Sequence, residues 1–210
     1  MPAPRRKLLI ATNNAGKLRE YRFLLAGVSL ALVSPAEAGV TLDIEETGKT
    51  FEENARLKAQ AFASASGLLT LADDSGLEVD ALGGEPGVMS ARYAGENATD
   101  SDRVLYLLSR LKGVPLERRT ARFTCVIAIA RPDGKIETCA GECPGVIALE
   151  PRGKQGFGYD PVFFMPDMGK TLAELPPAVK NRVSHRARAA AKARGILDRI
   201  TREETPGRDI

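Results

Sequence analysis

The sequence predicts a mixed α/β domain built on one extended sheet with helices packed around it. Three observations carry this. Strand-like apolar runs alternate with amphipathic helical patterns through the first half of the chain. From Arg122 on, such runs follow one another directly, and no Pro/Ser linker, repeat or low-complexity tract marks a domain boundary. With 210 residues, 43% of them hydrophobic, the chain can bury a large core as one domain or one domain with two lobes.

The elements follow in order. KLLIA reads as a buried strand, TNNAG as a tight loop, and KLREYRFLLAG as a helix with Leu18, Tyr21, Leu24 and Leu25 on one face and Gly27 as its stop. Thr50 and Glu53 have capping-box spacing at the start of TFEENARLKAQAFASASG, and Gly67 closes that helix. The strand GLLTLA follows at once. SDRVLYLLSRLK makes a third helix ending before Gly113. RFTCVIAIA and KIETCAG are strands joined by Arg131-Pro132-Asp133-Gly134, the pattern of an antiparallel hairpin, and GVIALE is expected as a further strand. VSHRARAAAKARGILDRI is a final helix with Ser184 as N-cap and Gly195 as a weak point, and 201–210 read as a loose tail.

Composition narrows the function. No apolar run approaches the roughly 18 residues of a membrane span, and the N-terminus does not resemble a signal peptide, so the cytoplasm is the expected address. Cys125, Cys139 and Cys143 lack zinc-ligand spacing and are expected as reduced thiols, and His185 is the single histidine. A net charge of +3 suits an anionic ligand. An RNA-binding module is disfavoured by the 5% aromatic content and by the lack of RNP, KH or zinc-finger patterns, so no nucleic-acid polymer is expected.

Five segments carry candidate chemistry. In LADDSGLEVD, Asp73 and Asp74 follow the apolar run, and Ser75-Gly76 predicts a turn that redirects both carboxylates to one side. A hard divalent cation such as Mg²⁺ tolerates two such charges, and an aspartate turn or N-cap is the other reading. TNNAGK, Thr12 to Lys17, is a polar strand-to-helix loop whose amide N–H groups and lysine suit phosphate, although it lacks Walker A spacing and an ordinary turn looks the same. IEETGKTFEENARLKA offers Glu45 or Glu46 as a further metal oxygen and Lys58, one turn past Asn54, for a phosphate; a solvated acidic loop with a surface lysine is the alternative. In QGFGYDPVFF, glycines flank Phe157 and leave its ring face open for a planar base, with Asp160 in reach of a heterocycle, unless the ring is simply core. KNRVSHRARA gathers Lys180, His185 and Arg186 at a helix start, as donors to an anion or carbonyl or as part of a solvated basic face.

Together, in order, TNNAGK, EETGKTFEENARLKA, LADDSGLEVDALGGEPGVMSARYAG, RFTCVIAIA, GFGYDPVFF and KNRVSHR resemble the inosine or xanthosine triphosphatases, the Ham1-like proteins that remove non-standard purine nucleotides. The resemblance covers Leu8 to about Ile200 and leaves the tail outside it. It implies a single two-lobed domain over 1–200, a long mixed central sheet with flanking helices around a cleft, and a homodimer. The implied activity is Mg²⁺-dependent hydrolysis of ITP, dITP and XTP, purine triphosphates with a 6-oxo base, to the monophosphate and pyrophosphate. The resemblance further implies that Glu46, Asp73 and Asp74 serve the metal, that Asp74 is the proton acceptor, and that Lys17 assists catalysis. Substrate positions are Thr12, Asn13, Asn14, Ala15, Gly16, Lys17, Lys58, Ser75, Phe157, Gly158, Tyr159, Asp160, Lys180, His185 and Arg186. Met89, where an aromatic is frequent, and Val179, where an acid is usual, depart from the pattern at positions without a chemical role. A broader nucleotide phosphatase like the Maf-like proteins is the competing enzyme reading, and a scaffold role leaves the adjacent acids unexplained.

Overall fold

The computed structural model describes residues 5–203. Along the chain run β1 (Lys7–Ile10), α1 (Ala15–Leu24), β2 (Ala31–Val33), α2 (Phe51–Ser66), β3 (Leu69–Val79), α3 (Asp100–Arg110), β4 (Thr120–Ala130), β5 (Ile136–Ile147), β6 (Phe163–Met165), β7 (Lys170–Thr171), α4 (Pro177–Val183) and α5 (His185–Glu203). The strands form a seven-stranded sheet in the order β2-β1-β3-β4-β5-β6-β7. β1 pairs in parallel with β2 and β3, whereas β5, β6 and β7 pair antiparallel, so the sheet is mixed as the sequence predicts.

Within the described residues the chain divides into two compact units. One holds the chain up to Asp74, Val126–Ala140 and the chain from Ala189; the other holds Ser75–Cys125 and Gly141–Arg188. In the first, α2 lays Ala55, Ala59, Phe62 and Ala63 against Leu9, Ala11, Ala72, Val126, Ala128 and Ala130. The alanines let the helix approach the strands closely. Thr50 caps α2 by accepting the Glu53 N–H at 3.1 Å, and Gly67, at φ 65°, ends it in the left-handed conformation. The expected reciprocal bond falls one residue earlier, because the Glu53 carboxylate accepts from Lys49 N at 2.6 Å. In the second unit, Leu77 and Val79 pack with Val104, Leu107 and Leu111, and with Phe123 and Phe163, whose ring centroids are 4.6 Å apart.

The expected hairpin is present: Arg131 N donates to Lys135 O at 2.8 Å at the turn between β4 and β5. Two strand boundaries differ from expectation. KIETCAG and GVIALE are not separate strands; β5 runs unbroken from Ile136 to Ile147 through Pro144-Gly145. Gly145 belongs there because a Cβ would lie 2.6 Å from the Phe163 ring of the neighbouring β6. β3, expected to stop at Ala72, continues to Val79.

Ser184 accepts the Ala187 N–H at 3.2 Å, as expected of the residue that starts α5. That helix runs through Glu203, three residues into the expected tail, while 204–210 lie outside the described residues. All three cysteines are free thiols, and burial pushes the Cys139 thiol up to about 11. No helix among the described residues is long and apolar enough to cross a membrane.

Candidate active site

The parallel pairing of β1 with β3 decides where the acids emerge. The last register pair is Ile10 with Leu71, and Ala11 N still donates to Leu71 O at 2.8 Å. Beyond that point β1 gives way to the Thr12–Asn14 loop while β3 runs on, so Asp73 and Asp74 lie past the carboxyl end of β1. In open α/β sheets this is the end at which ligands bind. The loop is pre-shaped by its own side chains: Thr12 Oγ1 accepts from Asn14 N at 3.2 Å, and Asn14 Oδ1 caps α1 by accepting from Lys17 N at 3.0 Å. Asn13 and Ala15 are exposed, and Ala15 and Gly16 open the helix. Lys17, in the first turn, places Nζ 3.1 Å from Asp73 Oδ2.

The aspartates therefore do not sit on a turn at a strand end; they are consecutive residues inside β3, 2% and 5% exposed. In an extended strand neighbouring side chains leave opposite faces, and the two carboxylates find different partners. Asp73 meets α1 through Lys17, and Asp74 meets α2. Asn54 Nδ2 donates to Asp74 Oδ2 at 3.0 Å, and Lys58 Nζ lies 3.9 Å from Asp74 Oδ1 and 2.6 Å from Glu46 Oε1. The strand accommodates two buried acids because two helices bring donors to them, which the turn chemistry of Ser75-Gly76 had obscured.

Glu46, Asp73 and Asp74 share this cluster with Lys17 and Lys58. Burial raises the Asp74 carboxyl above its usual range, and the nearby Glu46 charge adds to this against the pull of Lys58, Lys17 and Asn54. Burial alone would lower the Lys58 ammonium, but Asp74, Asp73 and Glu46 outweigh it and hold the lysine protonated. A buried carboxyl raised in this way and flanked by lysines is suited to accept a proton.

A second constellation lies in the other unit. The Phe157 loop is clamped by Asp160, whose Oδ2 accepts the Phe157 N–H at 2.9 Å and also the Lys180 ammonium. Lys180 Nζ and Arg186 Cζ lie 4.6 and 5.5 Å from the Phe157 ring centroid, so the ring is a partner of two cations. Arg186 Nη2 donates to Ser75 Oγ at 3.0 Å, which gathers Ser75, Phe157 and Arg186. His185 stacks on Phe123 at 4.6 Å and an interplanar angle of 15°. Asp160, Lys180, His185 and Arg186 are all buried, so the basic residues at the helix start are not a solvated face. Tyr159 is turned into the core, with its hydroxyl bonded to Ser90 O at 2.9 Å, and Gly158 N donates to Asp100 Oδ2 at 2.7 Å.

The sequence profile of the Ham1 family matches residues 8–196. The chain belongs to the Ham1 family. Over 92% of its length it is 53% identical to a dITP/XTP pyrophosphatase from Desulforamulus reducens, covering 96% of that protein. It is 49% identical to a dITP/XTP pyrophosphatase from Bacillus subtilis over 92% of this chain and 98% of that one. Among solved structures, a HAM1 protein from Coxiella burnetii superposes with a TM-score of 0.84 at 44% identity, covering 92% of this chain and 99% of that one. In this Ham1-family chain two polar residues, one beside each constellation, were missed by sequence reasoning. Asp100 had no signal beyond its place beside the Thr99 cap of α3. Asn54 did have one: with Lys58 and Phe62 it falls at a spacing of four on the face of α2 that carries the buried alanines.

Proposed function

We propose that this Ham1-family chain hydrolyses purine nucleoside triphosphates with a 6-oxo base, namely ITP, dITP and XTP, to the nucleoside monophosphate and pyrophosphate, removing them before a polymerase can use them. The observation that carries the reading is the cluster of buried Asp73 and Asp74 with half-buried Glu46, Lys17 and Lys58, in a chain about half identical to proteins named dITP/XTP pyrophosphatases.

The residues present fit Mg²⁺ by donor chemistry, since all three acids offer hard oxygens. Among the described residues no group of three or more His, Cys, Asp or Glu side chains converges as a ready cage. Mg²⁺ needs none, because one or two carboxylates, waters and substrate phosphates usually complete its shell. One or two of Glu46, Asp73 and Asp74 would hold it, and when bound it would neutralise triphosphate charge.

Asp74, with its raised carboxyl, accepts the proton of the water that attacks the α-phosphorus; the bond from that phosphorus to the bridging oxygen breaks and pyrophosphate leaves. Lys17 and Lys58 stabilise the charge that builds on the phosphates, while the amides of the Thr12–Gly16 loop and the start of α1 orient them. The base is received by the Phe157, Lys180, His185 and Arg186 group. Its donors match the 6-oxo oxygen and would be left unmatched by the 6-amino group of adenine, a mismatch that can discriminate by about 10⁴.

The homodimer and the cytoplasmic address belong to the same reading. Met89, Leu105 and Tyr106 are exposed, and Tyr106 meets Tyr93 in a ring contact that Arg110 overlies, apolar surface that a second copy could cover. Light scattering of the purified chain should give twice the monomer mass; a monomer at micromolar concentration would remove the dimer.

The deciding assay measures pyrophosphate and orthophosphate released from dITP, XTP, dATP and dGTP, with Mg²⁺ and with EDTA. Pyrophosphate from dITP and XTP, only with Mg²⁺, is expected. Orthophosphate release, or equal rates on all four, would overturn the assignment and favour a broader nucleotide phosphatase.

A further inference from the structure

Asn54 is 1% exposed and sits one turn before Lys58 on the same helix. Its side-chain amide is used at both ends. Oδ1 accepts the Gly48 N–H at 2.8 Å, and Nδ2 donates to Asp74 Oδ2 at 3.0 Å. The orientation is chemically fixed, because a backbone N–H can only donate and therefore faces the amide oxygen, which turns the NH₂ group to the carboxylate. On the Gly48 side the contact is tight: a Cβ at Gly48 would lie 2.5 Å from Asn54 Oδ1 and 2.7 Å from Glu53 Cβ. The next amide, Lys49 N, donates to Glu53 at 2.6 Å. Two consecutive N–H groups thus clip the loop carrying Glu46 onto the first turn of α2.

We propose that Asn54 is a positioning residue that sets two acids with one amide. Its N–H₂ group stops Asp74 from rotating about Cβ–Cγ and turns Oδ1 toward Lys58, and its oxygen anchors the loop that brings Glu46 to the same lysine. The proposal rests on the reading of Asp74 and Glu46 as active-site acids. No apolar side chain of similar size can do this, and aspartate can do only half of it: it still accepts from Gly48 but replaces the donor to Asp74 with a second carboxylate that repels it.

That asymmetry makes the test. Asn54→Asp and Asn54→Ala are compared with the parent for kcat and KM on dITP, and for hydrogen–deuterium exchange of the 43–50 segment without nucleotide. Asn54→Asp should keep the exchange rate of that segment and lose about 100-fold in kcat, because the new carboxylate turns Asp74 out of its reacting position. Asn54→Ala should lose kcat and also exchange the segment at least tenfold faster. A kcat within threefold of the parent in either variant, or unchanged exchange in Asn54→Ala, would overturn the proposal. So would loss of the fold in both variants, which would make Asn54 a structural residue only. If the parent itself releases no pyrophosphate from dITP, the catalytic reading falls separately, and the exchange comparison of Asn54→Ala with the parent decides the positioning role alone.

Discussion

Lys17 Nζ lies 3.1 Å from Asp73 Oδ2, a salt bridge between the first turn of α1 and a carboxylate buried in β3. It joins the Thr12–Asn14 loop and α1 to the acid pair, so on the proposed function a single substitution should register in both stability and catalysis. Lys17→Met keeps the aliphatic stem and removes the charge. Leaving a buried charge with one partner fewer costs about 2 kcal/mol, which lowers Tm by roughly 6 °C in a chain of this size. Calorimetry with dITP kinetics should show that loss with a reduced kcat/KM; a parental kcat/KM would take Lys17 out of the machinery.

Asp74→Asn retains size and can still pair with Asn54 after the amide turns, but it cannot accept a proton. The expected result is a folded protein with kcat lowered by about 10³ or more, within the range of general-base loss. Circular dichroism establishes the fold and pyrophosphate release the rate. Near-parental turnover would exclude Asp74 as the base.

Arg186 is 2% exposed and is held by Ser75 Oγ on one side and the Phe157 ring on the other. Arg186→Lys keeps the charge but cannot span both contacts with the planar guanidinium geometry. The ratio of kcat/KM for dITP over dATP should fall at least tenfold, and His185→Ala should move it in the same direction. If the ratio stays intact in both variants, the base is read elsewhere.

Much of this was legible in the sequence because the signals are local. The TNNAGK loop, the Thr50 and Ser184 caps, the Gly67 stop and the Arg131–Gly134 turn depend on residues a few positions apart. The misread stretches are those where a distant segment supplies the reason. Asp73 and Asp74 can remain in a buried strand only because Lys17, Asn54 and Lys58 arrive from two helices. Pro144-Gly145 looks like a break until the Phe163 ring is seen against Gly145. β2, β6 and β7 are three, three and two residues long, too short to show any alternation.

Gly156 and Gly158 flank Phe157, both at positive φ, 78° and 62°, yet they are not equivalent. A Cβ at Gly156 would lie 1.9 Å from Asp160 Oδ2, the oxygen that holds the Phe157 N–H and Lys180, whereas one at Gly158 meets nothing within 4 Å. Gly158→Ala should cost only the left-handed backbone penalty, about 1 kcal/mol. Gly156→Ala should cost clearly more and raise KM for dITP, because Asp160 must move. Equal Tm values for the two variants would mean that the Asp160 clamp is not needed to hold the loop.

Away from the site, Glu37 predicts a pH dependence of stability. Its carboxylate accepts from Ser34 N at 2.7 Å, from Arg22 Nη2 at 2.8 Å and from Ser34 Oγ at 3.0 Å, and these bonds, with the Ser34 amide foremost, hold its pKa down at about 2. A carboxyl whose folded pKa lies below its unfolded value of 4.5 binds fewer protons folded than unfolded between those values. Its contribution is therefore fully present above the unfolded pKa and fades as pH falls toward the folded one. Glu37→Gln removes it. Urea midpoints of parent and variant, measured from pH 7 down to pH 3, should differ most above pH 5 and converge as the solution is acidified. A gap that stays constant across that range would mean the Ser34 and Arg22 bonds do not depend on the charge of Glu37.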